Sequence, residues 1–355
     1  MRIRGESFYR PTSREIEIGD PGFDATFSIE GPSRLAAVLL DAETRELLTS
    51  VAKRCRRMGV VNGEIVAEMF DVQLPILLPD LLDLARRFSQ SADVAQSLAD
   101  NARQDPQAGV RLLGVSLLAR DFAEDPKTVE TLRQACSDPS PKVRLQAARG
   151  LGAEGLDVLR DLAEGLENDD VSAQAVSILG GRLPFERARD LLSIALHRRF
   201  LRTAGACLGA LVKGGHPVAV DVLTRVLTRE QGELAAAAAL ALGETGSPEA
   251  EPPLIRALRG RKADVATAAA KALGRVGSAL AVPLLKEAAE NPSWDAEMRR
   301  AARQSVAEIQ SRLPGATPGQ LSLAGDEAGQ LSLAEAEAGQ LSLAQEPQRP
   351  ERISG

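Results

Sequence analysis

Aromatic residues are scarce. Phe, Trp and Tyr make up 3% of the 355 residues, with one Trp and one Tyr, which argues against a β-rich core and against a surface built to stack bases. There are only two histidines, His197 and His216, and neither has a Cys or carboxylate at metal-ligand spacing, so no metal site and no cofactor are expected. The three cysteines, Cys55, Cys136 and Cys207, are odd in number and widely spread. That excludes a disulfide framework and fits a reducing compartment, with Cys136 and Cys207 as small core residues. No apolar run approaches the ~18 residues of a membrane span, and the N-terminus MRIRGESFYRP lacks the apolar stretch of a signal peptide. A cytoplasmic protein is expected. Basic excess is also missing: the formal net charge is −6, which leaves no global nucleic-acid footprint. The glycine-bearing loops GGHP (214–217) and GETG (243–246) follow no strand and precede no Lys-Ser/Thr, so they are not phosphate cradles. No nucleophile, base and orienting group form a set, and the chain reads as a non-enzyme.

What is present is a repeat. From 110 to 312 the pattern recurs about every 31 residues, most clearly in PKVRLQAARGLG (141–152), ELAAAAALALGETG (233–246) and ADVATAAAKALGRVG (263–277). An apolar residue is followed eight positions later by Leu at Val110/Leu118, Val143/Leu151, Val171/Leu179, Leu234/Leu242 and Val265/Leu273, a spacing that returns to one helix face. Alanines between them admit a close neighbour. Gly152, Gly180, Gly243 and Gly274 follow the leucines as expected C-caps. A preceding helix carries its own pairs, among them Leu132/Ala135, Leu159/Leu162, Leu192/Ala195, Leu223/Val226, Ile255/Leu258 and Leu285/Ala288. Pro184, Pro217, Pro253 and Pro283 lie near the starts of those helices. One such hairpin cannot bury its apolar face alone, but stacked copies share a core.

The phrase Asp138–Gly152, DPSPKVRLQAARGLG, closely resembles the signature of the HEAT family of α-solenoids. The resemblance implies a mainly α fold, a right-handed α-α superhelix of about seven helix pairs over 91–313, with the second helices lining a concave surface. Within the 198–215 copy, two registers fit, anchored on Leu208 or on Leu211. The family pattern also implies that Arg144 pairs with an aspartate such as Asp138. HEAT-fold metal hydroxylases need several His–Glu pairs, which two histidines cannot supply.

Residues 1–90 do not follow the period and read as a small α+β domain. MRIRGESFYR and REIEIG (14–19) alternate as strands, and GDPGFDATFSIEG (19–31) turns and then extends through Phe23, Phe27 and Ile29. A long amphipathic helix is expected over 33–58, with Ser33 as its N-cap and KRCRR at its C-terminus. NGEIVAEMF (62–70) reads as a strand and PDLLDLARRF (79–88) as a helix. GDPGFDATFSIEG is similar to stretches in uncharacterised bacterial proteins whose β-rich module precedes a helical one. The last pair ends in a longer, polar helix within 291–313, the expected cap, with Trp294 packed there.

Residues 314–355 form a low-complexity tail in which GQLSLA recurs at Gly319, Gly329 and Gly339, too thinly apolar for a core and expected to be disordered. The QLSL segments at Gln320–Leu323, Gln330–Leu333 and Gln340–Leu343 resemble the start of the peptide that binds the bacterial sliding clamp. Ala324, Ala334 or Ala344 stands where that peptide has its aromatic anchor.

Basic residues recur along the expected second helices: Arg149, Arg198, Arg199, Arg202, Arg261, Lys262, Lys271, Arg275, Arg299 and Arg303, beside Lys142, Arg144 and Arg300. A basic stripe there suits an acidic or extended protein segment. The chain's own acidic tail (Asp326, Glu327, Glu335, Glu337) is one candidate occupant. The leading expectation is a non-enzymatic scaffold for protein–protein interaction. DNA binding through the same helices, as in HEAT-like glycosylases, is an alternative, and so is an enzyme resembling the HEAT-like lyases that attach bilin pigments.

Overall fold

The computed structural model describes residues 1–5, 15–61, 64–89, 93–260 and 262–312, together with the triplets 321–323 and 331–333. They fall into two compact units, Met1–His216 and Pro217–Gly355.

The first unit opens with an antiparallel sheet and its supporting helices: β1 (Arg2–Gly5), α1 (Pro21–Asp24), β2 (Phe27–Glu30), α2 (Ser33–Leu39), α3 (Ala42–Ala52), β3 (Arg57–Val61), β4 (Glu64–Glu68) and α4 (Leu74–Ser89). Spatial order is β2-β1-β3-β4. The register sets Ile3 beside Ile29 and Val60, and Val60 beside Ile65. Because side chains alternate across a strand, these residues share the face that closes a core with Phe27, Leu48 and Leu84. The other face carries Arg4, Gly59 and Val66 in one row.

The expected single helix over 33–58 is three elements. Asp41 accepts a 2.8 Å bond from the amide of Thr44 and so starts a new helix at Ala42. The chain beyond Lys53 then turns into β3. Pro32, not Ser33, holds the N-cap position of α2. Phe23 lies in the single turn of α1, capped by Asp20, with its ring stacked on Phe27 at 4.7 Å. In the 14–19 stretch Glu15 bridges Glu30, and the Ile16 amide donates to the Ile29 carbonyl at 2.9 Å, without a longer ladder. α4 starts at Leu74, so Pro79 sits inside it.

Four helix pairs complete this unit: α5 (Val94–Gln104) with α6 (Ala108–Asp121), α7 (Pro126–Ala135) with α8 (Pro141–Leu151), α9 (Leu156–Gly165) with α10 (Asp169–Leu179), and α11 (Phe185–Arg198) with α12 (Leu201–Lys213). The second unit has three: α13 (Ala219–Arg229) with α14 (Gly232–Glu244), α15 (Glu251–Leu258) with α16 (Ala263–Val276), and α17 (Val282–Glu290) with α18 (Ala296–Arg312). The chain is therefore mainly helical, a repeat of helix pairs behind a small strand-bearing region. Second helices pack side by side, α6 to α8 to α10 to α12 in one unit and α14 to α16 to α18 in the other. Val110, Leu118, Val143, Val171 and Leu179 are buried, as are Leu234, Leu242, Val265 and Leu273. In the 198–215 copy, where two registers fit, both Leu208 and Leu211 are buried. The last helix, α18, buries Met298, Ala302 and Ile309, and Trp294 is half-buried just before it.

Gly152 and Gly180 end α8 and α10 at positive φ, 60° and 50°, which glycine permits, but with ψ of −112° and −126° instead of the left-handed helical value. Gly243 and Gly274 do not. They lie inside α14 and α16, where the neighbouring second helix leaves no room. A Cβ on Gly243 would stand 2.7 Å from the Ala272 Cα, and one on Gly274 would stand 2.9 Å from Ser305 Oγ. They are packing glycines.

In the tail, Leu321–Leu323 pairs antiparallel with Leu331–Leu333, Ser322 opposite Ser332. The rest of 314–355, including the third QLSL copy and the four acidic residues, lies outside the described residues.

The strand-bearing region seats directly on the first helix pair. Arg45, 3% exposed, donates through Nη1 and Nη2 to both oxygens of Asp105, 1% exposed, at 2.9 Å each. It also donates to Asp20 at 2.9 Å and to the Leu40 carbonyl at 2.9 Å. Burial pulls the Arg45 pKa down, and the carboxylates of Asp105 and Asp20 more than offset it, so the guanidinium stays charged above its ordinary range. Nearby, Gly19 meets Gly109 backbone to backbone, so that a Cβ on Gly19 would be 2.7 Å from the Gly109 Cα. Asn101 Nδ2 donates to the Ala37 carbonyl at 2.7 Å, and Arg34 pairs with Asp121 at 2.8 Å. Ala37 shares a core with Leu98 and Leu118.

Candidate functional site

The surface that sequence reasoning points to is the outer face of the second helices. Arginine–carboxylate bonds between successive pairs set it in place. Arg111 at the start of α6 donates to both oxygens of Asp138, at 2.7 and 2.9 Å, and to the carbonyls of Asp105 and Pro106. One pair later, Arg144 donates to the carbonyls of Asp138 and Pro139 and to Glu167 at 2.8 Å. The expected Arg144–Asp138 ion pair within one repeat is thus corrected. The Asp138 carboxylate is taken by Arg111 from the preceding pair, and Arg144 reaches forward to the next. With Arg45 on Asp105, the strand-bearing region supplies the first bond of the same series. Burial raises the Asp138 carboxyl, but the Arg111 guanidinium and the Ser140 amide bring it below its ordinary value.

The basic residues singled out in the sequence fall in different local settings. Arg149 is exposed on α8 and has no ion pair among the described residues. Arg198 and Arg199 finish α11, a first helix: that helix runs through Arg198, and Arg199 takes the left-handed conformation, φ 61°, before α12 begins. Arg202, at the start of α12, pairs with Asp170 of α10 at 2.6 Å. Arg261 lies outside the described residues, and Lys262 is the exposed N-cap of α16. Lys271 pairs with Glu297 of α18 at 2.8 Å, and Arg275 with Glu244 of α14 at 3.4 Å. Arg299 and Arg303 of α18 donate weakly to the carbonyls of Asp295 and Ala289. Carboxylates on adjacent second helices therefore neutralise Arg202, Lys271 and Arg275. Between the charges the face is low in the first unit, where Ala173 and Gln174 on α10 and Gly205, Ala206 and Gly209 on α12 reach the surface. Nothing lies within 4 Å of a Cβ built on Gly205 or Gly209.

Burial pushes the Cys207 thiol up to about 12, and burial also raises Cys136 and Cys55. His216 stacks on Phe185 with ring centres 4.0 Å apart, and His197 is exposed near the end of α11. Among the described residues no three His, Cys, Asp or Glu stand together as a metal site, and no helix is long and apolar enough to cross a membrane.

Two features escaped the sequence reading. An open cleft of about 730 Å³ beside the sheet is lined by Phe27, Lys53, Arg56, Met58 and Val66, among others. Its basic rim is the KRCRR run that was assigned to a helix end. On α4, Leu74, Leu78 and Leu82 face solvent.

Residues 95–172 and 226–307 match the family described as HEAT repeats. No curated protein matches the chain. Among solved structures the chain is similar to human deoxyhypusine hydroxylase in complex with glycerol, at 17% identity over 76% of this chain and 98% of that one, with a TM-score of 0.33. It is also similar to an engineered protein, at 21% identity over 68% of this chain and 98% of that one, with a TM-score of 0.28. At these scores neither likeness bears on activity.

Proposed function

The helical part of this chain belongs to the HEAT-repeat family, and from that premise we propose that the protein is a non-catalytic scaffold that holds an extended protein segment along its second helices. The observation that carries this reading is the row α6–α8–α10–α12, whose outer faces recur side by side and expose small residues between isolated cations. A stacked repeat offers such a face without any further element. An extended main chain needs close approach, which Gly205 and Gly209 allow. Preference for acidic segments rests on Lys142 and Arg149 of α8, both exposed, since Arg202 is already paired with Asp170.

The cross-helix pairs weigh against duplex DNA, whose affinity comes from cations free to replace counterions. The test uses the full chain as bait in cell extract, beside the Lys142→Glu/Arg149→Glu variant. The expected result is a protein retained by the parent and weakened in the variant, with duplex DNA ignored at physiological salt. Recovery of nucleic acid alone, with affinity falling steeply as salt rises, would overturn the reading.

A further inference from the structure

The helix α4 buries one face and leaves a second apolar stripe beside it uncovered. Leu77 and Leu84 are 1% and 0% exposed, whereas Leu74, Leu78 and Leu82 are 48%, 46% and 51% exposed and Ile76, off their line, is 66% exposed. Phe70, just before the helix, is 55% exposed. Single exposed leucines are ordinary, but a continuous stripe marks a contact surface. From this we propose that the stripe joins two copies of this chain through an antiparallel α4–α4 contact about a two-fold axis at Leu78.

Three observations select a second copy. The leucines stand at i, i+4 and i+8, so the stripe is symmetric about its middle member. A two-fold axis at Leu78 sets that residue against itself and Leu74 against Leu82 of the other copy, the isologous contact a symmetric dimer requires. The charges at the two ends are complementary under the same operation. Asp71 lies one helical turn before Leu74, in the turn Asp71–Gln73 that runs straight into α4, and Arg86 lies one turn beyond Leu82. Both are exposed, and neither has an ion pair among the described residues, whereas Arg87 is shared by Asp41, Glu43 and Asp83. In the antiparallel arrangement Asp71 of each copy faces the Arg86 of the other, and the helix dipoles oppose. A β4–β4 pair centred on Val66 would set Glu64 opposite Glu68 of the other copy, and like charges directly opposed are destabilising. An anionic bilayer is a poor occupant as well, because Asp71, Asp80 and Asp83 accompany only two arginines on this helix.

The test is the mass of the full chain in solution, by light scattering or sedimentation equilibrium. The expected mass is twice 37.6 kDa at micromolar concentrations, falling to one chain in Leu78→Glu. Arg86→Asp alone and Asp71→Arg alone should each raise the dimer dissociation constant about tenfold, and the double exchange should restore it. Leu78 is half exposed, so Leu78→Glu should keep the parent circular dichroism; if it does not, the charge exchange alone decides. A monomer at every concentration, a dimer indifferent to Leu78→Glu, or charge variants without effect or without mutual rescue would each overturn the proposal.

Discussion

Replacing Asp105 by Ala removes both carboxylate oxygens that hold Arg45, and the structure fixes what remains. The guanidinium keeps Asp20 at 2.9 Å and the Leu40 carbonyl at 2.9 Å, but at 3% exposure it has no water to replace the lost bidentate bond. Breaking a buried pair by removing one member costs about 3–5 kcal/mol, because a charge is left uncompensated. Asp20 offsets part of that here, so Asp105→Ala should cost about 3 kcal/mol. Arg45→Met strands two carboxylates and should cost more, whereas Arg45→Met with Asp105→Leu should recover much of the loss, a coupling that a double-mutant cycle reads directly. The assay is native-state hydrogen exchange on the full chain, followed at amides of Ala42–Ala52 and Val94–Gln104. Faster exchange by about a hundredfold there is the equivalent of that cost, with α14 to α18 unchanged. A loss under about 1 kcal/mol, the worth of a surface pair, would refute the claim that this bond fastens the strand-bearing region to the first helix pair.

Other outcomes follow from the same contacts. Gly109→Ala should destabilise by about 1–3 kcal/mol, since its Cβ would run into the backbone of Gly19; Gly205→Ala, open on α12, should stabilise by up to about 1 kcal/mol through helix propensity. Urea unfolding read by far-UV circular dichroism distinguishes the two. Asp138 has a depressed folded pKa, so its contribution is complete above the ordinary aspartate range and is lost as pH falls through the folded value. Asp138→Asn should flatten that acid-side loss of stability in urea titrations run at successive pH values. The Cys207 thiol, buried and pushed up to about 12, should resist iodoacetamide in the native chain and react only once unfolded, as peptide mass mapping would record.

The helix pairs were legible in the sequence because burial imposes a period, and Val143, Leu179 and Leu242 sit where that period puts them. The cap glycines were half legible. A Gly after Leu looks the same whether it ends a helix, as Gly152 does, or admits a neighbour, as Gly243 does, and only the position of Ala272 tells them apart. β3 was missed because RMGVV follows the basic end of an amphipathic run, and the Asp41 cap that resets the chain lies inside it. The ion pairs of the basic residues were hidden for a related reason. Glu244 and Glu297 lie 31 and 26 residues from their partners Arg275 and Lys271, and their pairing depends on the register between stacked helices, which composition does not encode. The exposed stripe of α4 was not legible, because leucine spacing reports amphipathicity without saying how much of a wide apolar face finds a partner.

Photo-cross-linking of the full chain tests the scaffold reading most directly. A photoreactive residue at Gln174, exposed on the second helix α10, is compared in cell extract with one at Ile194, exposed on the first helix α11. The account predicts a discrete protein adduct from position 174 and none from 194, with the adduct lost in Lys142→Glu/Arg149→Glu. Equal adducts from both positions, or adducts from 194 alone, would contradict it.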